Sequence, residues 1–467
     1  MPATSVAGQC SPSASVETYG GMLSPPLCYN LRVIKLPDDV NSYIKERLAS
    51  VLKPEMLDLL VRTSSLAAEH GWNIYLVGGY VRDVLLKIPD YDIDISVEGD
   101  AVALAALLAE QLNTPMQTHE AFGTAVLDLG GGLHLDFVTA RKERYDKPGA
   151  LPTVEPGTIE DDMARRDFTI NALAVHLLPE GPGRLLDPHG GLLDLQTRLI
   201  RVLHDGSFRD DPTRIFRAAK LAERLGCKIE PHTLELVLQA VRDGALYTVS
   251  MDRISRELLL ILEEPGADSI LATLDHLGVL IALYPGLAWP YPPGHIRPAA
   301  SEQITAAQRR DTYLAAIAAE FAAEPGEAER LARWLKLKAP HITLMRDAAR
   351  LTQLWARLGE DGQSPSQTYH LLRALDANAL EAYGRIEALA ADAVPWQRLQ
   401  DYLAKWRHVK TAVDGEYLKH LGVPQGLIYR QALEELLAAK LDGRVEGKED
   451  EERFVEEWLK ERGWRAE

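Results

Sequence analysis

The chain has few cysteines, no long apolar run and no surplus of positive charge. Only three cysteines occur in 467 residues, Cys10, Cys28 and Cys227. Their spacing fits neither a disulfide framework nor a zinc site, and it suits a reducing cytoplasm. The thirteen histidines include no H-E-x-x-H pair. No stretch approaches the ~20 apolar residues that cross a bilayer, so no membrane partner is expected. Residues 1–36 are rich in Ser, Pro and Gly and lack the basic segment and apolar core of a secretory signal; they read as a disordered leader. Lys and Arg number 51 against 68 Asp and Glu, a formal net charge of −17. That balance argues against unspecific binding to nucleic acid but is compatible with a local basic groove. Gly78-Gly79 lacks the G-x-G-x-x-G spacing, and repeated βαβ units are missing, so a dinucleotide-binding fold fits poorly.

What is present centres on Tyr75-Leu76-Val77-Gly78-Gly79-Tyr80-Val81-Arg82-Asp83 and, further on, Tyr91-Asp92-Ile93-Asp94-Ile95. The pattern predicts a strand, a two-glycine turn, a short helix over Tyr80–Lys87 and a second strand. Side chains two apart on a strand share a face, so Asp92 and Asp94 present paired carboxylates while Ile93 and Ile95 face the other way. Like charges so placed call for a cation, and hard oxygen ligands suit Mg²⁺. The glycines let backbone N–H groups approach an anion. Read alone, two Asp on a strand are often an exposed edge. Asp136 adds a third carboxylate, between Leu135 and Phe137 on an apolar strand where a charge needs a reason. A metal beside a phosphate cradle points to phosphoryl or nucleotidyl transfer.

Helical spacing from Pro37 to about His70, an Ala/Leu-rich helix over Ala101–Leu112, and strands at Thr124–Leu129 and Leu133–Thr139 joined by a Gly-Gly-Gly turn predict an α+β unit with a small mixed sheet. Arg141–Asp161 contains three prolines and two glycines and reads as a long connection. After Ile200 the pattern is almost wholly helical, with Tyr284–Pro298 a Pro-rich connection. Asp414–Trp464 reads as a helix-turn-helix-like pair, an acidic linker and a terminal helix.

Two further groups carry chemistry. Arg165-Arg166-Asp167 reads as a helix start leading into Phe168-Thr169-Ile170-Asn171; the arginines suit phosphate oxygens, Asp167 a ribose hydroxyl, and Asn171 a phosphate. A helix over Asp211–Leu225, with Pro212 in its first turn and Gly226 past its end, sets Asp211 beside Arg214 at i, i+3. Acceptor and guanidinium together suit a base edge, while Arg217 and Lys220 suit the triphosphate or the primer backbone. Such spacing is also that of an ordinary intrahelical ion-pair ladder.

Taken in order, these motifs resemble the class II tRNA nucleotidyltransferase/bacterial poly(A) polymerase family, with a polymerase-β-like head. The match runs through Leu76-Val77-Gly78-Gly79-x-Val81-Arg82-Asp83, Asp92-x-Asp94, Thr139–Tyr145, Arg165–Ala172, Leu186-Asp187-Pro188, Asp211-Pro212-x-Arg214 and Arg253-Ile254-Ser255-x-Glu257-Leu258. The resemblance implies a head over 37–204, a helical neck over 205–265 that selects the nucleotide, a body over 266–410 and a tail over 411–467 that contacts tRNA. It implies Mg²⁺ on Asp92 and Asp94, assisted by Asp136, and nucleotide held at Gly79, Arg82, Arg166, Asp211, Arg214, Arg217 and Lys220. The base would be chosen without a template through Asp211 and Arg214. The implied substrates are the tRNA 3′ end, CTP and ATP. The chain departs from the family pattern at Asp210, usually Glu, and at Lys220, often Arg, which leaves the choice between C and A open. The long 141–161 segment favours a set that includes AMP. A poly(A) polymerase is the alternative, and a non-catalytic RNA-binding protein a more distant one. No phosphohydrolase motif is seen in the body.

Overall fold

A computed structural model describes residues 36–463, apart from 89–91, 120–122, 131–132, 292–303, 322 and 387–391. The expected leader, Tyr91, most of the triple-glycine turn, the end of the Pro-rich connection and Trp464 lie outside the described residues.

Among the described residues nine strands form up to Leu186. They are β1 (Asn73–Val77), β2 (Asp92–Glu98), β3 (Met116–His119), β4 (Thr124–Asp128), β5 (His134–Thr139), β6 (Arg141–Arg144), β7 (Thr153–Pro156), β8 (Ala174–Leu178) and β9 (Gly181–Leu186). Seven make one mixed sheet in the order β3-β4-β5-β2-β1-β8-β9. β2 and β5 run parallel; the other neighbours are antiparallel. Ile93, Ile95, Leu135 and Phe137 are fully buried on the face where the helices Pro54–Glu69 and Ala101–Leu112 lie. On the other face Asp92 is exposed and Asp94, His134 and Asp136 are half-buried, while Ser96 further along β2 is buried. The mixed sheet is the one the alternating patterns predict.

The segment 141–161 corrects the sequence reading. It is a β-hairpin, β6 paired antiparallel with β7, with Arg141 opposite Pro156 and Arg144 opposite Thr153. Pro156 sits at the edge of a two-stranded ribbon, where a missing N–H does no harm. A capping box at Thr158 and Asp161 then starts the helix Ile159–Ala164. Arg165 and Arg166 therefore end a helix; they do not open one.

Among the described residues the chain after Leu186 is helical in its regular structure, apart from the short parallel pair Leu199–Ile200 and Lys228–Ile229. The helix predicted over Asp211–Leu225 begins at Arg214. Asp211 is extended (φ −139°, ψ 92°) after the short helix Ser207–Asp210. Gly226 ends the helix in the left-handed region (φ +60°), as C′ glycines do. The core containing the sheet continues through these helices to Tyr402, while Val413, Leu418, Leu436, Val455 and Leu459 belong to a separate cluster. Helices there span Gly415–His420, Leu427–Leu441 and Lys448–Glu461, so the acidic run expected to be a linker is the first turn of the last helix. Among the described residues no helix is long and apolar enough to cross a membrane.

Glu223, on the helix Arg214–Leu225, packs against Gly266 and the start of the helix Ala267–His276. Burial and the neighbouring Asp268 carboxylate push it up to about 7. A raised carboxyl gives its full stabilisation below its unfolded value of ~4.3 and loses it as pH rises through the folded one. Glu223→Gln is thus expected to stabilise the protein at about pH 8 by roughly 1–2 kcal/mol, with little gain near pH 5. Melting temperatures of both proteins across this range check it.

Candidate active site

The parallel pairing of β2 with β5 places Asp94 opposite Asp136 and Asp92 opposite His134. Asp92, Asp94 and Asp136 therefore share one face, as the alternation of β2 requires. Asp92 is exposed and the other two are half-buried. Burial and the Asp92 charge raise the Asp136 carboxyl above the ordinary Asp range, with His134 acting in the opposite sense. Its Oδ1 is buried without a hydrogen-bond partner. Among the described residues no three His, Cys, Asp or Glu side chains gather tightly enough to hold a metal on their own. Mg²⁺ commonly takes only one or two protein carboxylates, the rest of its sphere being water and substrate phosphate. Two strand carboxylates with a third beside them fit that donor set.

Gly78 shapes the rim of this face. Its φ of +71° suits glycine, and a Cβ there would lie 2.3 Å from Arg166 Nη1 and 3.8 Å from Asp94 Oδ2. The absent side chain leaves room for the Arg166 guanidinium beside Asp94. Arg166 is held from behind: its Nη2 donates to Asp162 Oδ2 (2.8 Å), while Arg165 Nε donates to Asp162 Oδ1 (3.0 Å). Arg165 also reaches Glu143 Oε1 (3.0 Å) on β6. Asp162 is 1% exposed. Burial works to raise its carboxyl, but Arg166 and Arg165 outweigh burial and hold it low.

Helix Gly79–Leu86 starts at this glycine and buries every residue from Tyr80 to Leu86. Arg82 is 4% exposed; its Nε and Nη2 donate to the two Asp83 oxygens at 2.8 Å each, and Nη1 to Asn171 Oδ1. Asn171 Nδ2 in turn donates to Asp167 Oδ1 (2.9 Å). Asn171, expected to donate to a phosphate, thus joins Arg82 to Asp167. Burial would raise Asp167, yet Arg217, Asn171 and Arg214 hold it below the usual range.

The expected Asp211–Arg214 side-chain pair is not formed, because Asp211 precedes the helix. Arg214 is buried and donates to Ser207 Oγ (2.6 Å) and the Arg165 carbonyl (2.9 Å). Asp211 instead meets Arg217 Nη2 (3.0 Å) and Arg253 Nη2 (2.9 Å), and accepts from Thr213 N and Oγ. Arg217 also lies 3.4 Å from Asp167 Oδ2, joining the two carboxylates. Lys220 is half-buried one turn further along. Buried Nε atoms of Arg166, Arg214 and Arg217 have no hydrogen-bond partner among the described residues. Unsatisfied buried donors are rare in folded proteins and call for a ligand or water. Here three fall on arginines of one site.

Sequence reasoning missed Asp162, Asp83 and the Arg253 contact. Asp162 carries a readable signal, since it lies three and four residues before Arg165 and Arg166 on a helix. Arg253 stands out only as the start of the Arg253-Ile254-Ser255-x-Glu257-Leu258 match; its contact with Asp211, 42 positions away, has no local signal.

Asp162→Asn removes the charge that both guanidiniums share. A carboxyl held low stabilises above its unfolded value of ~3.9 and loses that contribution as pH falls through the folded one. The variant is expected to lose roughly 3–5 kcal/mol at neutral pH, the gap closing below about pH 4. Urea unfolding at several pH values measures it.

The poly A polymerase head domain family matches residues 74–201. An A-adding tRNA nucleotidyltransferase of Geobacter sulfurreducens is 34% identical over 395 residues, covering 82% of this chain and 44% of that protein. A structure of a CCA-adding enzyme in apo form I superposes with a TM-score of 0.72 at 30% identity, over 89% of this chain and 97% of that one. A Thermotoga maritima CCA-adding enzyme complexed with tRNA-CCA superposes at 0.69 with 28% identity, over 89% and 98%. The chain spans about half the length of the curated relatives it matches.

Proposed function

Because the chain belongs to the class II tRNA nucleotidyltransferase family, we propose that it extends the 3′ end of tRNA with CMP and/or AMP, using CTP and ATP and releasing pyrophosphate. The observation that carries this reading is the register placing Asp94 opposite Asp136, two residues from Asp92, with Arg166 seated at Gly78 beside them. Cation-binding and anion-binding groups thus share one rim.

In this reading Asp92 and Asp94 hold Mg²⁺ and Asp136 assists, which would relieve the unpaired Oδ1 and the repulsion that raises its carboxyl. The ion, when bound, supplies charge neutralisation for the triphosphate and the attacking hydroxyl. Gly79, Arg82, Arg166 and Lys220 hold the triphosphate; Asp167 and Asn171 set Arg82 and the ribose. Asp211 and Arg214 read the base, and Arg217 joins the groups that suit the triphosphate or the primer backbone. The tRNA 3′-hydroxyl attacks the α-phosphorus in line, the bond to the bridging oxygen breaks, and pyrophosphate departs. Positioning and electrostatics carry most of the acceleration in such a transfer.

The A-adding relative and the 141–161 hairpin, with Arg141 donating to Glu143, support a set that includes AMP, as full CCA or terminal A addition. A poly(A) polymerase reading draws on the description of the matched head domain, but a net charge of −17 disfavours unspecific capture of RNA ends.

Purified protein with Mg²⁺ and tRNA ending before CCA, after C or after CC, given CTP or ATP separately, tests the reading. Incorporation of one or two defined nucleotides is expected, whereas long A tails on unrelated RNA would favour poly(A) synthesis. No incorporation on any primer would sink the transferase reading. Asp92→Ala is expected to lower turnover by about 10³-fold or more while tRNA affinity in a filter-binding assay stays near wild type. Arg214→Ala is expected to relax or abolish the choice between CTP and ATP, and unchanged selectivity in competition assays would remove its reading role.

A further inference from the structure

The tip of the β6–β7 hairpin is seated on the helices that follow the sheet. Gly149 N–H donates to the Arg209 carbonyl (3.2 Å), and the Gly149 carbonyl accepts from Arg253 Nη1 (3.1 Å). Gly149 has φ +68°, and a Cβ there would lie 2.6 Å from the Thr248 carbonyl oxygen and 2.3 Å from its hydroxyl. Only glycine permits this approach. Nearer the base of the hairpin, Tyr145 donates to Glu143 Oε2 (3.0 Å). Burial and Glu143 push the phenol up to about 12, with Arg214 and Asp211 near enough to act on it. The hairpin thus lies against the elements that carry the base-reading residues.

The other arm of the Arg253 guanidinium is at Asp211 Oδ1, 2.9 Å away. One planar group therefore touches the hairpin backbone and the Asp211 carboxylate together. The same helix, Met251–Leu262, is anchored by buried Ile254, Leu258, Ile261 and Leu262, which fixes the base from which Arg253 projects. Arginine suits the task because its rigid fork serves two acceptors at once, whereas an ammonium is a single point charge on a flexible stem.

We propose that Arg253 is a positioning residue for nucleotide selection, fixing the Asp211 carboxylate and tying its orientation to the seating of the hairpin tip at Gly149. This rests on the nucleotidyl-transfer reading of the Asp211 site. It gives Arg253 a role apart from binding nucleotide: it acts through Asp211.

Two variants test it from opposite ends. Arg253→Gln removes the bridge, and Gly149→Ala unseats the tip while leaving Arg253 and Asp211 in place. The ratio of kcat/KM for the correct over the incorrect nucleotide, measured with CTP and ATP on one tRNA primer, is expected to fall about tenfold in both. A purely structural defect lowers the active fraction for both nucleotides alike and leaves that ratio untouched. Unchanged ratios in both variants overturn the proposal. Hydrogen exchange of the full chain without nucleotide or RNA gives a readout independent of activity. Faster exchange over residues 145–151 in Arg253→Gln is expected, and exchange identical to wild type overturns the bridge. If the wild-type protein incorporates neither nucleotide, the transferase reading fails and the selection role with it, while the exchange result still decides whether Arg253 seats the hairpin.

Discussion

Three carboxylates on one face of a sheet repel one another, and the surroundings of Asp92, Asp94 and Asp136 are built around that repulsion. The other face of β2 and β5 is fully buried apolar core, so the strands cannot rotate or slip to separate the charges without exposing Ile93, Ile95, Leu135 and Phe137. Burying apolar surface stabilises by about 25 cal/mol per Å², which opposes any such slip. The carboxylates stay where the register puts them. Compensation comes from outside the sheet, in the guanidinium that Gly78 admits beside Asp94 and in whatever cation the site takes up.

The same logic extends along the cationic wall. Asp162 is spent on Arg165 and Arg166, Asp83 on Arg82, and Asp167 and Asp211 on Arg217. Each buried acid holds an arginine in place, and two of those guanidinium groups, Arg166 and Arg217, together with that of Arg214, retain a buried Nε without a partner among the described residues. In the proposed reading, charges fixed before the ligand arrives require little reorganisation when it does, which is the condition for strong electrostatic stabilisation of a transferring phosphoryl group. The unpaired atoms carry a desolvation cost of about 1–3 kcal/mol each. A fold under no functional demand would have little reason to bear it at three neighbouring positions.

Much of this was legible in the sequence, and what escaped did so for identifiable reasons. The alternation in Asp92-Ile93-Asp94-Ile95 announced which side chains share a face, because period two is a local property. The pairing of Asp94 with Asp136 is not local; it needs the parallel crossover between β2 and β5. Asp211 and Arg214 looked adjacent because i, i+3 spacing presumes a helix, and Pro212 let the pattern be read one turn too early. Proline tolerates a first helical turn but does not require one. The 141–161 segment looked structureless since prolines and glycines mask a hairpin of only four residues per strand. The Gly149 approach to Thr248 depends on tertiary seating that no local signal encodes.

Part of the acidic balance of the chain lies on its last helix. The last helix, Lys448–Glu461, carries seven carboxylates against three bases in fourteen residues, and exposed helices such as Pro325–Trp334 spend their acids on i, i+3 and i, i+4 pairs such as Arg330–Glu327 and Arg333–Glu329. Exposed charges more than about 10 Å apart are largely screened at ordinary ionic strength. Arg214 is buried and Arg166, Arg217 and Lys220 are half-buried, and burial lowers the screening of their own charge. A net charge of −17 and a local cationic wall are compatible for this reason. The global balance still matters, since it weakens unspecific capture of polyanions and leaves recognition to the few basic groups whose positions the fold fixes.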